Sequence, residues 1–518
     1  MKLKLRFVTA RNAVIEIEDG GSYNTKEQYH IEVEEGSVFS ALQCVTTIHN
    51  LKPSTEYSIK VRNDTEHEWK LKFTTKAEYV TLNVKEFGAK GDGIQNDTLF
   101  IQATIMACPM EGRVLIPKGK YLITSLFLKS NIKIELAEGA VLLAELERSN
   151  YPIYPGLIES QDEKREYNLG SWEGNPLPMY TGIITGIGVE NVVIYGNGCI
   201  DGRAGQSDWW VNEKEMRGAF RPRLLFLSHS SNVTVQGIHF MNSPAWSIHP
   251  YFSENLAFIN LYIENPQNSP NTDGLNPESC KNVLIIGNRF TLGDDCIALK
   301  SGKIYMGKKY KTPCEDITIK HCFMENGHGA VTIGSEMAAG IRNVLVQDCL
   351  FKSTDRGLRI KTRRGRGKDA VIDNITFDRI FMENVMTPFV VNCFYFCDPD
   401  GRSKYVQSKE IAAVDERTPQ IKSLTFSNIT CRSVHVAAAY FYGLPEQKIE
   451  RIAMDNVTVS YADDAKCDVP AMMSGIEPCT KMGLFAANVD NLILNKINIE
   501  GQDGEKCIIT NVDRIVET

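Results

Sequence analysis

Asn255-Leu-Ala-Phe258, Asn282-Val-Leu-Ile285, Asp316-Ile-Thr-Ile319 and Asn343-Val-Leu-Val346 repeat one pattern, a polar residue followed by a short apolar strand. The same pattern opens at Asn191, Asn232, Asn374, Ser423, Arg451 and Asn491. From Asn232 the first four intervals are 23, 27, 34 and 27 residues. These are too short for a strand-helix-strand unit each time and suit one turn of a coil built from three short strands. An all-β chain follows, with a parallel β-helix over residues 77–518. Asparagines at equivalent turns can hydrogen-bond up such a stack, which accounts for Asn recurring at the unit start. An ordinary sandwich would instead need two-residue hairpin turns, and those signals are sparse.

Residues 1–76 have another rhythm. Leu3-Lys-Leu5-Arg-Phe7, Val14-Ile-Glu-Ile17, Ile31-Glu-Val33, Tyr57-Ser-Ile-Lys-Val61 and Trp69-Lys-Leu-Lys-Phe73 alternate between turns containing Gly, Asn or Pro, as short strands of a small β-sandwich do. Leu51-Lys-Pro53-Ser-Thr55-Glu-Tyr57 resembles the corner before strand F of fibronectin type III domains, where the tyrosine hydroxyl bonds back to the backbone. Such a module is either a carbohydrate-binding spacer or a packing lid on its neighbour, and a fold alone favours the plainer lid.

Composition narrows the partners. A net charge of -7 over 518 residues argues against overall attraction to nucleic acid or an anionic membrane, so an acidic ligand needs a local basic patch. The run Arg356, Arg359, Lys361, Arg363, Arg364, Arg366, Lys368 offers one, without the interleaved aromatics that stack bases. The 14 cysteines contain no Cys-x-x-Cys pair, so neither zinc nor redox chemistry is indicated and most are expected to be buried free thiols. The first residues lack the apolar run of a signal peptide, and no apolar stretch is long enough to span a bilayer. A cytoplasmic location is expected.

Four clusters then stand out inside the coil: Asn271-Thr-Asp273-Gly274, Gly293-Asp294-Asp295, Gly327-His328-Gly329 and Arg359-Ile-Lys361. They lie at offsets of 18, 12, 12 and 16 to 18 residues from the unit starts Asn255, Asn282, Asp316 and Asn343. Four consecutive coils about 4.8 Å apart would therefore bring them to one face, with His328 beside the Asp294/Asp295 pair, Asp273 on the other side and the cations two coils away. Each cluster alone has a plainer reading: a turn, a loop or half of a Ca²⁺ site, a structural histidine, a solvated strand face. Together they provide carboxyls that raise one another's proton affinity, so that one can donate a proton while another activates water. Inverting hydrolysis asks for carboxyl groups roughly 6.5–9.5 Å apart, which neighbouring coils can supply.

The same clusters, in this order, resemble the signature of glycoside hydrolase family 28, the polygalacturonases and their relatives. The resemblance extends to Phe87-Gly-Ala-Lys-Gly-Asp-Gly93, Asp97-Thr98, Gly196-Asn-Gly-Cys-Ile-Asp-Gly202, Trp209-Trp210, Asn242-Ser-Pro-Ala-Trp246 and His249-Pro250, about residues 79 to 500. It implies a right-handed, pectin-lyase-like solenoid and inverting hydrolysis of α-1,4-linked galacturonic acid. It also implies Asp294 as the general acid, Asp273 and Asp295 as the groups that hold and deprotonate water, and His328 as the residue that tunes the acid. Arg359 and Lys361 would bind a substrate carboxylate, with Lys300 and His249 as further substrate contacts. Neither metal nor cofactor is implied. The expected partner is an acidic oligosaccharide or polysaccharide such as oligogalacturonate or pectate, taken by a monomer or weak homo-oligomer with no nucleic acid and no membrane. The other readings are a rhamnogalacturonan or xylogalacturonan hydrolase, a Ca²⁺-dependent pectate lyase and a non-catalytic carbohydrate-binding β-helix.

Residues 156–178 and 397–418 are too long for plain coil turns. Insertions of this kind protrude from one face of a solenoid, so these are expected to wall one end of the groove and make the enzyme exo-acting. The bacterial exo-polygalacturonases that the chain resembles fit that expectation, as some of them also carry an N-terminal fibronectin-like domain.

Overall fold

The computed structural model describes residues 1–33, 38–65, 67–159 and 166–517. Seven strands come first: β1 (Lys2–Val8), β2 (Ala13–Glu18), β3 (Asn24–Val33), β4 (Val38–Gln43), β5 (Val45–Ile48), β6 (Glu56–Asn63) and β7 (Glu68–Thr74). They form two antiparallel sheets, β1-β2-β5 and β4-β3-β6-β7. Alternation along the strands turns Ile15, Ile17, Ile31, Val33, Ile59 and Val61 into one shared core. The Tyr57 hydroxyl accepts a hydrogen bond from the Lys52 N–H at 2.9 Å, as the corner motif requires.

Strand β2 is buried on both sides. Its other face sends Val14 out against Ile259 and Ile286 of the next unit, with Val45 beside it. Glu16, fully buried, pairs there with Lys320 at 2.7 Å and His321 at 3.1 Å. The small sandwich is thus packed onto the flank of the larger unit.

That larger unit is a parallel solenoid, its strands joined from Thr81–Asn83 to Cys507–Glu517 in one continuous ladder. The unit starts Asn191, Asn232, Asn255, Asn282, Asp316, Asn343, Asn374, Ser423, Arg451 and Asn491 all fall in register. The reason is conformational. Asn191, Asn232, Asn255, Asn282, Asp316, Asn343 and Asn374 sit at φ between 53 and 59°, the left-handed region that Asn and Asp tolerate best. Their side chains bond up the stack, as from Asn282 to Asn255 at 2.7 Å and from Asn374 to Asn343 at 3.0 Å. A further coil, one the repeat pattern did not reveal, begins at Asn131, which accepts from Asn191 at 3.0 Å.

The residue after each start points inward. Val192, Val233, Leu256, Val283, Ile317, Val344, Ile375, Leu424, Ile452 and Leu492 form one buried column, each aliphatic side chain contributing about 1.5–3 kcal/mol of transfer free energy. Helix α1 (Thr98–Ala107) closes the first coils with Ile101 and Ile105. All 14 cysteines are unpaired, most of them buried. No helix among the described residues is long and apolar enough to cross a membrane.

Candidate active site

One sheet of the solenoid carries the polar clusters. Its short strands Ile297–Leu299, Val331–Ile333, Arg356–Lys361 and Thr387–Asn392 stack in parallel register, and Leu275 bridges Ile248 on one side and Ile297 on the other. Asp273 and Asp295 each lie two residues before that Leu275–Ile297 pair, so they project from successive coils. Asp294 is in the turn just ahead. One oxygen from each of the three carboxyls lies within 4.8 Å of the others. Facing oxygens on the successive coils of Asp273 and Asp295 come this close because the coil repeat is about 4.8 Å.

Asp295 is the most constrained. Its Oδ1 accepts from Arg359 at 3.0 Å and from the Thr332 hydroxyl at 2.8 Å, and its Oδ2 from Lys361 at 2.8 Å. Burial alone would raise its pKa, but Lys361 and Arg359 outweigh it and hold the carboxyl far below the usual range. Asp295 is a permanent anion. Asp273 is the opposite case: burial, then the neighbouring charge of Asp294, push it up to about 7, while Asn276 donates to its Oδ2 at 3.0 Å. Asp273 therefore keeps its proton up to near neutrality, close beside the Asp294 carboxyl. Asp294 is the more open of the two, and its Oδ1 accepts from the Asp295 N–H at 2.8 Å.

His328 sits one coil beyond, its N–H donating to the Asp294 carbonyl at 3.2 Å. The ring is half-exposed, and its Nδ1 meets Asp355 at 2.7 Å. That hydrogen bond, helped by the charge of Asp294, raises its pKa above the ordinary value. Lys300 occupies the coil before, buried over the Trp246 ring at 4.2 Å and bonded to Glu336 at 3.1 Å and Asp273 at 3.7 Å. Burial opposes its charge, yet Glu336 and Asp273 keep it protonated.

Around these groups runs a cleft of about 630 Å³, whose lining includes Asp273, Asp294, Asp295, Lys300, His328, Arg359 and Lys361. Trp172, Glu173, Asn175 and Leu177 of the first insertion and Cys397, Asp398 and Pro399 of the second line it too. Residues 160–165 of the first insertion lie outside the described residues. The two insertions meet through Lys303. Its N–H donates to the Gly174 carbonyl at 2.9 Å, and its Nζ pairs with Asp398 at 3.2 Å.

A model of the family "Glycosyl hydrolases family 28" matches residues 113–475. The chain belongs to that family. A shorter match, residues 81–137, is to "Rhamnogalacturonase A/epimerase, pectate lyase-like". The family-28 chain is 30% identical over 449 residues to a "Probable polygalacturonase" of Vitis vinifera, spanning 82% of this chain and 86% of that one. To an "Exo-poly-alpha-D-galacturonosidase" of Dickeya chrysanthemi it is 26% identical over 430 residues, 74% and 69% of the two chains. Its fold superposes on the Yersinia enterocolitica family 28 exopolygalacturonase with a TM-score of 0.72 and 19% identity, covering 99% of this chain and 98% of that one. The right-handed, pectin-lyase-like solenoid expected from sequence is the fold these neighbours share.

Two expectations need correction in this family-28 site. His249 is not a substrate contact: it is fully buried, absent from the cleft wall, and bonded to Glu278 at 2.9 Å. Burial drives its pKa well down and raises that of Glu278 to about 8, so a neutral pair lies under the floor. Nor is the basic run a free positive field. Arg363 and Arg366 are spent on Asp398, Arg364 on Glu446, and Lys368 on Glu416, while Arg356 is tied to the carbonyls of Asp355 and Val469. Only Arg359 and Lys361 of that run present charge to the carboxylates. The partners Thr332, Asn276, Asp355 and Glu336 were missed in sequence. Thr332 aligns with Arg359 in register, a signal that an alignment of coils contains; Asp355 and Glu336 carry none.

Proposed function

We propose that the chain hydrolyses α-1,4-linked galacturonic acid chains with inversion, releasing product from a chain end. The observation that carries it is the unequal state of the three carboxyls. Asp295 is locked as an anion by Arg359 and Lys361, while Asp273, pushed up to about 7, keeps a proton that its neighbour Asp294 can take over. Asp294, facing the cleft, gives that proton to the glycosidic oxygen as the bond to the anomeric carbon breaks. A water making two bonds of about 2.8 Å at a tetrahedral angle spans about 4.6 Å, which suits oxygens within 4.8 Å of one another. Held by Asp273 and Asp295, the water attacks the opposite face and passes its proton to Asp273. One proton has left through Asp294 and one has arrived on Asp273, so the carboxyls end with the proton count they began with. Retention would need a carboxylate oxygen free to attack carbon, and both oxygens of Asp295 are engaged while Asp273 is 3% exposed.

Arg359 and Lys361 have further N–H groups for a uronate carboxylate. The same cations supply the charge compensation that a Ca²⁺ ion would bring to the three acids, which supports metal-independent hydrolysis over a lyase. The meeting of the insertions at Lys303 supports a closed end. Digestion of a long oligogalacturonate followed by ¹H NMR tests the reading: one short product from the earliest times, born as the β-anomer, is expected. An early ladder of lengths would remove the chain-end claim, and an α-anomer the inversion.

A further inference from the structure

One residue of the cleft wall has no use in the chemistry above. Trp172 and Asn175 exchange both backbone hydrogen bonds, at 2.9 and 3.0 Å, closing a two-residue turn whose tip is Glu173-Gly174. The turn is held hard. Trp172 stacks on Phe220 at 4.7 Å and 6°, and the guanidinium groups of Arg221 and Arg223 lie 5.1 and 5.0 Å from its ring. Gly174 rests against Glu336 so closely that a Cβ there would come within 2.8 Å of Glu336 Cγ.

Glu173 sits on this rigid tip with φ +45°, a left-handed backbone that costs a glutamate of order 1 kcal/mol. The two-residue turn imposes it, with Gly174 beside it at φ +74°. Its half-buried side chain lines the cleft, and among the described residues its carboxyl makes no hydrogen bond or ion pair. Burial and the nearby Glu336 raise its pKa, which equips it to donate as well as accept. The other charged groups around it are already paired, Glu336 with Lys300 at 3.1 Å and Asp398 with Lys303 at 3.2 Å, which leaves the Glu173 carboxyl as the open acceptor of that wall. A carboxyl free to accept and to donate suits sugar hydroxyls.

We propose that Glu173 reads the chain end, its carboxyl bonding hydroxyls of the terminal ring in the part of the cleft away from the Arg359 and Lys361 clamp. This rests on the chain-end reading above and adds the residue that enforces it.

Glu173→Gly tests the idea without straining the fold, since glycine adopts the left-handed conformation freely. On trigalacturonate its kcat/KM should fall at least ~10-fold, carried by KM, with Tm at or above that of the unaltered protein. Glu173→Gln, which keeps a donor and an acceptor, should hold KM within ~3-fold. A KM for Glu173→Gly within ~2-fold of the unaltered enzyme, while that enzyme still releases a single product, overturns the role of Glu173 and leaves the chain-end reading standing. Equal losses in the Gly and Gln variants overturn hydroxyl reading in favour of charge. An early ladder from the unaltered enzyme overturns both proposals.

Discussion

Arg359 reaches back across two coils to place Nη1 3.0 Å from Oδ1 of Asp295, and Lys361 closes on Oδ2 from the same strand at 2.8 Å. Asp295 is 1% exposed, so its ionised form depends on those two cations. Arg359→Met should lower kcat/KM by about 10²-fold. Because the cations depress the pKa of Asp295, removing one raises it, and the acid limb of the pH profile should move to higher pH. An unmoved acid limb would show that Arg359 serves only the substrate.

Asp294→Asn keeps shape and deletes the group proposed as the proton donor. We expect kcat to drop by at least ~10³-fold, about 4 kcal/mol in barrier, with the Kd for trigalacturonate nearly unchanged by calorimetry. Retention of more than about a tenth of kcat, a loss below ~1.4 kcal/mol, would remove Asp294 from its role.

The pH dependence on the alkaline side follows from the proton on Asp273. Pushed up to about 7, Asp273 holds that proton below this pH and loses it above. Turnover should therefore decline as pH rises through about 7. His328 is the rival source of this limb. Asp355→Asn removes the bond that raises the His328 pKa, so a limb that shifts to lower pH in that variant would assign it to His328, whereas the Asp273 proton predicts no shift.

Asp398 anchors the second insertion by pairing with Arg363 at 2.9 Å, with Lys303 at 3.2 Å and with Arg366. Asp398→Asn leaves the buried Arg366 without its ion pair and should cost about 3 kcal/mol of stability, read by denaturant unfolding. It should also loosen the wall, so that a single product from long oligogalacturonate gives way to several lengths. A product profile identical to that of the unaltered enzyme would separate the anchor from the mode of attack.

Glu16 joins the two units through Lys320 and His321. Burial would raise its pKa, but His321 and Lys320 carry it well below the ordinary 4.5. A depressed carboxyl contributes stability that is complete above its unfolded pKa and lost as pH falls toward the folded value. The unaltered chain should lose Tm as pH drops below about 4.5, and Glu16→Gln should be less stable near neutrality by about 2 kcal/mol and less sensitive to acid. A parallel acid response in both chains would exclude Glu16 as the linkage group.

Periodicity and local conformation determined the coil. An asparagine that tolerates φ near +55° at Asn232, Asn255 and Asn282, followed at once by an inward aliphatic, writes the turn and the core into consecutive residues. The same local rule placed Asp273, Asp294 and His328 on successive coils, and the corner motif located the Tyr57 hydroxyl bond. What depends on distant residues was left to the tertiary structure. The states of the acids were decided by Arg359 and Lys361 folding back onto Asp295 and by the burial of Asp273. The fate of Arg363, Arg364 and Arg366 was decided by Asp398 and Glu446, which lie 32 to 82 residues further along the chain. His249 shows the limit most simply. Beside a proline in an aromatic-rich stretch it could face either side of the sheet, and only the stacking of coils buried it against Glu278. Side-chain identity and spacing specify a backbone repeat, because that repeat is governed by neighbours one to four residues away. Charge state and access are set by whatever the fold brings within a few ångströms, and a linear pattern does not encode that.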